Sequence, residues 1–272
     1  MKTAVDLKGK LAIVTGASAG LGVAFAEQLA SMGANLVITA RRADRLEKLA
    51  ADLSHKHGVS VKPVSFDLET PGAARDIYML TEGVGEHVEV LVNNAGFASF
   101  SPFCDTPWDR LAGQLRVNVM ALTELTHLFL KPMVGRKGGY VLNVSSYASY
   151  MPVPYYAVYS SSKAYVRNFT EALAYELKDT GVHICSLCPG MVSTEFWEVS
   201  GQGGPPKLFK HNVDTPGTVA KKGLDALFAG KTNTVPGGIN AFSAWMTRFG
   251  PVSVVSSIAA WAAGDVKKEW KP

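Results

Sequence analysis

The sequence predicts an α/β fold: one doubly wound, mostly parallel sheet of about seven strands with helices on both faces, in a single domain spanning 1–272. Three observations predict it. Apolar runs rich in β-branched residues recur along the chain, and segments of helical period separate them. The strand runs are apolar throughout instead of alternating, as expected of strands covered on both faces. No internal repeat or low-complexity linker divides the chain.

In order, the first run is Leu11–Val14, followed by a glycine-rich turn and a helix on which Leu21, Phe25, Leu29 and Met32 share one face. The second run, Leu36–Thr39, leads into Ala40, Arg41 and Arg42, and the third, Val61–Phe66, into Asp67 and Leu68. The fourth, Val90–Val92, ends in Asn93-Asn94-Ala95-Gly96. A helical pattern through Leu111, Leu115, Val119 and Leu122 then carries Asn118 midway. The fifth run, Tyr140–Val144, ends at Ser145 and Ser146. It precedes a helix with Tyr159 and Lys163 near its start and Val166, Thr170, Leu173 and Leu177 along its face. The sixth, Ile184–Cys188, runs into Pro189 and Gly190. Beyond it, Ser200-Gly-Gln-Gly-Gly-Pro-Pro206 reads as a mobile loop within a substrate-loop insertion at about 195–215. The apolar segment 250–264 reads as a packed terminal helix or a lid, with membrane-surface contact the lesser alternative.

Composition excludes several classes. With 47% hydrophobic and 18% charged residues, the chain forms a compact core and is not disordered. A formal charge of +4, without a basic run or aromatic–basic interleaving, gives no footing for a nucleic-acid partner. The polar start, Met1 to Lys8, lacks an apolar core, so no secretory signal is expected, and no uncharged stretch is long enough for a membrane-spanning helix. Three cysteines suit a reducing compartment, and a cytoplasmic protein is expected. Cys185 and Cys188 read C-x-x-C but lie on a strand, where residues three apart face opposite ways. Neither they nor the six histidines predict a metal site.

Chemistry gathers at the strand ends. Gly16, Gly20 and Gly22 follow the first strand with spacing G-x-x-x-G-x-G. The first permits a tight turn; the others let backbone and helix approach a pyrophosphate, which the free N–H groups and dipole of a helix N-terminus attract. At the end of the second strand, an acidic residue would hold the ribose 2′-hydroxyl of NAD(H). Here Arg41 and Arg42 stand instead, and a guanidinium suits the 2′-phosphate of NADP(H). The alternative is that both begin the next helix as solvated charges. Only Tyr159 among nine tyrosines has a lysine four residues later, one turn along the same helical face. A neighbouring ammonium favours the phenolate, so Lys163 is expected to lower the pKa of Tyr159 toward the working range.

These motifs, in this order, resemble the short-chain dehydrogenase/reductase family over nearly the whole chain, from Gly9 to about Thr218. The resemblance implies a Rossmann-type fold and reversible hydride transfer between a nicotinamide and a carbonyl or secondary alcohol. It implies that Asn118, Ser146, Tyr159 and Lys163 form the catalytic set, with Ser145 the alternative to Ser146. Ser146 would polarise the substrate oxygen, Tyr159 would pass the proton, and Asn118 would support a water linking Lys163 to solvent. It implies further that Gly16, Ser18, Gly20, Leu21 and Gly22 bind the coenzyme's pyrophosphate side. Asp67 and Leu68 would hold the adenine, and Asn94, Ala95 and Gly96 would flank the ribose. Tyr159 and Lys163 would reach the nicotinamide ribose, and Pro189, Gly190, Val192 and Thr194 would meet the nicotinamide. The family often places a basic residue just before the second glycine. Ala19 stands there, which leaves the preference for NADP(H) over NAD(H) to Arg41.

The expected substrate is a small molecule with an apolar or aromatic ketone or aldehyde, because Phe97, Tyr147, Met151, Val153, Tyr155, Phe196, Trp197, Leu208 and Phe209 are placed to rim the pocket. Two readings compete: an NADP(H)-binding regulator without chemistry, and epimerase or lyase chemistry on the same scaffold. The intact Ser–Tyr–Lys–Asn set argues against the first and the glycine spacing against the second. Family members pair as dimers or tetramers, and alanines at 164 and 172–174 suit close packing, so a homodimer or homotetramer is expected.

Overall fold

A computed structural model describes residues 5–204 and 213–263. Seven strands form one parallel sheet: β1 (Leu11–Thr15), β2 (Asn35–Ala40), β3 (Val61–Ser65), β4 (Val88–Asn93), β5 (Gly139–Val144), β6 (Val182–Leu187) and β7 (Asn233–Thr234). Their spatial order is β3-β2-β1-β4-β5-β6-β7. The chain therefore winds outward one way from β1 and the other way from β4. Between those two strands the connections diverge and open a cleft at the strand C-termini. The helices are α1 (Gly20–Ser31), α2 (Ala43–His57), α3 (Ala73–Met79), α4 (Trp108–Leu115), α5 (Leu122–Gly135), α6 (Ala157–Glu176), α7 (Phe196–Ser200), α8 (Pro216–Phe228), α9 (Gly238–Met246) and α10 (Val252–Ala263). None is long and apolar enough, among the described residues, to cross a membrane.

Alternation along the strands feeds two cores. Ala12 and Val14 of β1 face α1 and α8, packing with Phe25, Leu29 and Leu224. Ile13 faces the other way, with Ile77, Phe129 and Met133. Phe25 and Phe129 are fully buried, and each contributes roughly 1.5–3 kcal/mol by leaving water. Between the layers a buried polar ladder links sheet and helices. The Asn93 amide donates to Asn143 Oδ1 at 2.9 Å and Thr126 Oγ1 at 3.1 Å, and the Asn143 amide donates to Thr170 Oγ1 at 3.0 Å. These bonds pin the register of β4 and β5, and so the places where Asn94 and Ser145 leave the sheet.

Two elements depart from the sequence expectation. The third strand was expected to be apolar to Phe66, but it stops at Ser65, and Lys62, Pro63 and Ser65 are exposed. It is an edge strand, where proline removes no needed ladder bond. The helical pattern around Asn118 is not continuous α-helix: Arg116–Ala121 is a widened π-type stretch between α4 and α5. Such widening re-aims side chains and recurs at functional sites. Cys185 lies in the core, whereas the Cys188 thiol faces Ser149 and Ser186, so the two share no site.

Candidate active site

The cleft holds a cavity of about 780 Å³. Every residue expected to touch the coenzyme lines it except Gly22, and so do Ser146, Tyr159 and Lys163. Gly22 packs beneath: a Cβ there would lie 2.1 Å from the Gly16 carbonyl oxygen. Gly16 has φ +67° and a Cβ would meet Ala95 Cα at 2.8 Å, while Gly20 has φ +55° and a Cβ would meet Thr194 Cγ2 at 2.8 Å. The turn is thus a cradle that any side chain would fill. The N-terminus of α1 opens into it, and Ala19 gives no side-chain cap. Uncapped N–H groups beside a glycine cradle fit a dinucleotide pyrophosphate.

The turn is braced by β4. The Asn94 carboxamide donates to the carbonyls of Thr15 and Gly16, at 2.9 and 3.2 Å. Thr15 Oγ1 accepts from the amides of Asn94 and Ala95, both at 3.0 Å. The Asn94 side chain therefore positions the cradle, a role the sequence did not indicate.

At the adenosine end, Arg41 pairs with Glu69 at 3.4 Å and is mostly solvated. Arg42 points across the turn, with Nε and Nη2 donating to Ser18 Oγ at 3.1 and 3.0 Å and Nη1 to Glu195 at 2.8 Å. Arg45 reaches the other oxygen of Glu195 at 2.6 Å. The two arginines hold the Glu195 carboxyl below the usual carboxylate range. The sequence singled out Arg41, but Arg42 sits against the glycine turn. Glu195 lies 153 positions away and was not anticipated. Asp67 caps the next turn, accepting from the Glu69 amide at 2.9 Å.

At the other end, Ser146 begins the turn after β5 and accepts from the Ala148 amide at 3.1 Å, and its hydroxyl is near enough to Tyr159 to oppose the rise of that phenol. Ser145 is buried and donates to the Lys163 carbonyl at 2.7 Å. It holds α6 to the sheet, which leaves Ser146 as the serine presented to Tyr159. Tyr159 and Lys163 both lie in the first turns of α6, and the Lys163 ammonium is 5.9 Å from the Tyr159 ring centre.

The expected effect of this lysine on the tyrosine is not found. Burial pushes the Tyr159 phenol up to about 12, against the lowering effect of Ser146, and pushes the Lys163 amine down to about 8. Desolvation opposes either charge, and Lys163 Nζ donates to the Val144 carbonyl at 2.8 Å instead of to the phenol.

Asn118 stands outside the cavity. Its Oδ1 accepts from the Phe97 amide at 3.1 Å, and its Nδ2 donates to the Phe97 carbonyl at 2.9 Å and to Ser162 at 3.2 Å. Gly96 lies between it and Lys163: a Cβ there would be 3.0 Å from Asn118 Oδ1 and 3.2 Å from Lys163 Nζ.

On the substrate side, Phe97, Tyr147, Met151, Val153, Phe196 and Trp197 line the cavity as expected. Tyr155 does not. It adopts φ +66°, stacks edge-on against Phe100 and borders a separate pocket of about 310 Å³, and Tyr156 takes its place. Leu208 and Phe209 lie outside the described residues. Two helices roof the cavity: Ile239 and Ser243 of α9, which the sequence did not anticipate, and Ile258, Ala259 and Ala262 of α10, in the segment read as a packed terminal helix or a lid. Tyr147 donates to Ser243 Oγ at 2.9 Å and Gln202 to the Ala263 carbonyl at 2.8 Å, tying roof to site. Within that apolar segment, Val252–Ala263 forms α10 and so one part of the roof.

A model of the short chain dehydrogenase family matches residues 10–203. A very-long-chain 3-oxoacyl-CoA reductase of Phaeosphaeria nodorum is 34% identical over 198 residues, 71% of this chain and 58% of the relative. The chain thus spans less than two thirds of that relative's length. A 7beta-hydroxysteroid dehydrogenase of Collinsella aerofaciens is 32% identical over 72% of this chain and 74% of its own. Among solved structures, a short-chain dehydrogenase from Sphingobium yanoikuyae in complex with NADPH superposes with a TM-score of 0.80 at 26% identity, covering 91% of this chain and 95% of that one.

Proposed function

The chain belongs to the short chain dehydrogenase family, and from that premise we propose that it is an NADP(H)-dependent oxidoreductase acting on a carbonyl, or the matching secondary alcohol, of an apolar or aromatic substrate. The carrying observation is that Ser146, Tyr159 and Lys163 line one end of a cavity whose other end is the glycine cradle. A bound nicotinamide supplies hydride to the substrate carbon, or takes it up.

The chain's own residues do the rest. Ser146 donates to the substrate oxygen and stabilises the charge that develops there. Tyr159 gives that oxygen its proton. At neutral pH the phenol is protonated, the form that gives a proton in the reduction direction. Lys163, one helical turn on, is held by the Val144 carbonyl beside the phenol, placed to bond the ribose of a bound nicotinamide. Asn118 is a positioning residue: it clamps the Phe97 backbone and Ser162 around Lys163.

The aromatic and aliphatic lining supports a bulky apolar substrate. The relatives' names point to two such carbonyl classes, a 3-oxoacyl-CoA and an oxosteroid. The NADP(H) preference rests on the guanidiniums of Arg41 and Arg42, which follow β2, and of Arg45 in the first turn of α2. The test is a panel of long-chain 3-oxoacyl thioesters, oxosteroids and aryl ketones with NADPH and with NADH, followed by nicotinamide absorbance. Turnover of a bulky apolar carbonyl with NADPH is expected. Tight NADPH binding with no turnover of any carbonyl would overturn the catalytic reading.

A further inference from the structure

Glu195 holds a position that its neighbours suit better to a phosphate. Its carboxylate oxygens take one guanidinium each, from Arg42 at 2.8 Å and Arg45 at 2.6 Å. Arg42 is simultaneously held against Ser18 Oγ on the glycine turn. Arg41, the third guanidinium, is occupied by Glu69. A cluster of cations at a coenzyme-binding strand end is thus largely neutralised by carboxylates of the chain itself. Glu195 also follows Thr194, whose side chain covers Gly20, and precedes Phe196, whose ring packs 5.3 Å from that of Tyr159. The carboxylate therefore straps the segment over the catalytic tyrosine to the adenosine end of the cleft.

We propose that Glu195 is an internal competitor of the coenzyme's 2′-phosphate: the phosphate takes Arg42 and Arg45 from it, and the strap from Glu195 to Ser200 is released as NADP(H) binds. The proposal rests on the NADP(H) reading above. A dianionic phosphate with three acceptor oxygens bonds two guanidiniums better than a carboxylate does. An exposed ion pair is weak enough to be exchanged. A nucleotide without the 2′-phosphate leaves the strap in place, so the two coenzymes are distinguished by the state of the segment as well as by contact.

The test compares wild type, Glu195→Gln and Glu198→Gln by calorimetry with 2′-AMP, 5′-AMP, NADPH and NADH. Glu198 is on the same segment and makes no ion pair with Arg42 or Arg45 among the described residues. Glu195→Gln should tighten 2′-AMP about three- to tenfold and leave 5′-AMP within twofold, whereas Glu198→Gln should leave both within twofold. Amide hydrogen exchange over 195–200 should quicken when wild type binds 2′-AMP, and be already quick and unresponsive in Glu195→Gln. Equal tightening by both variants would reduce the effect to general charge and overturn the strap. Unchanged or weaker 2′-AMP binding by Glu195→Gln would overturn it too. Equal affinity of wild type for NADPH and NADH would instead remove the NADP(H) reading on which it stands.

Discussion

The floor and the roof of the cleft are built on different physics. The floor is backbone: glycines at φ +67° and +55°, uncapped N–H groups of α1, and side chains such as Thr15 and Asn94 that hold the turn against β4. The roof is side-chain surface: α9 and α10, each with one face on the cavity and another that exposes Phe242, Trp245 and Trp261 to solvent. A backbone site tolerates few residue types at each position, because a Cβ or a lost N–H destroys it. An apolar roof tolerates many, because volume and not identity is what it supplies.

The strongest test of this division is Tyr159→Phe. It removes one hydroxyl between floor and roof, and kcat should fall about a thousandfold while NADPH affinity stays within a few fold, measured by steady-state kinetics and calorimetry. Comparable kcat in the variant would dissolve the catalytic assignment. Lys163 gives the next effect, on stability. Its amine is pushed down to about 8 by burial, so between about pH 8 and 10.5 the unfolded chain binds a proton that the folded chain has released. Lys163 should therefore add stability to the coenzyme-free protein as pH rises across that window, a contribution on the order of 3 kcal/mol in full. Cys185, raised to about 12 by burial, adds the opposite slope above pH 9, and Tyr159, raised to about 12, does so above pH 10. Denaturant midpoints should rise between pH 8 and 9 in wild type and stay flat there in Lys163→Met; a wild-type fall from pH 8 to 9 would mean that Lys163 is not the buried amine described.

Gly22→Ala addresses the floor alone. Its Cβ would collide with the Gly16 carbonyl at 2.1 Å, and no side-chain motion relieves a backbone clash. A loss of about 2 kcal/mol in stability and a tenfold or greater loss of NADPH affinity are expected. Wild-type affinity would show the turn to be looser than described.

The same division explains what could be read in advance. The glycine spacing, the tyrosine–lysine pair and the polar residues ending each strand were legible because their chemistry restricts residue type at short range. The widened stretch around Asn118 was not, since π-type and α-helical segments share an apolar period. Nor was the exposure of Lys62 and Pro63, which follows from β3 being an edge. Tyr155 and Tyr156 were exchanged because a non-glycine residue at φ +66° turns the chain by one position, and nothing local announces it. Arg42 was legible as a cation but not as the partner of Ser18 and Glu195, a contact made across the whole fold. Of the roof, α10 was read as a packed terminal helix or a lid without a choice between them, and α9 not at all, because alanines and aliphatics at helical spacing describe any packed helix.

The smallest expected effect belongs to the joint between the two regions. Tyr147 lies next to Ser146 and donates to Ser243 on α9 at 2.9 Å. In Tyr147→Phe the ring remains, and Ser243 keeps its bond to the Asn240 carbonyl at 3.1 Å, so no buried donor is orphaned. Stability should change by about 1 kcal/mol or less. The roof, released at one point, should admit substrate less exactingly: KM for a bulky ketone should rise two- to fivefold at unchanged kcat, with NADPH affinity unaffected. A hundredfold fall in kcat would place Tyr147 among the groups that act on the reacting atoms. The roof would then be part of the chemistry and not only the shape of the site.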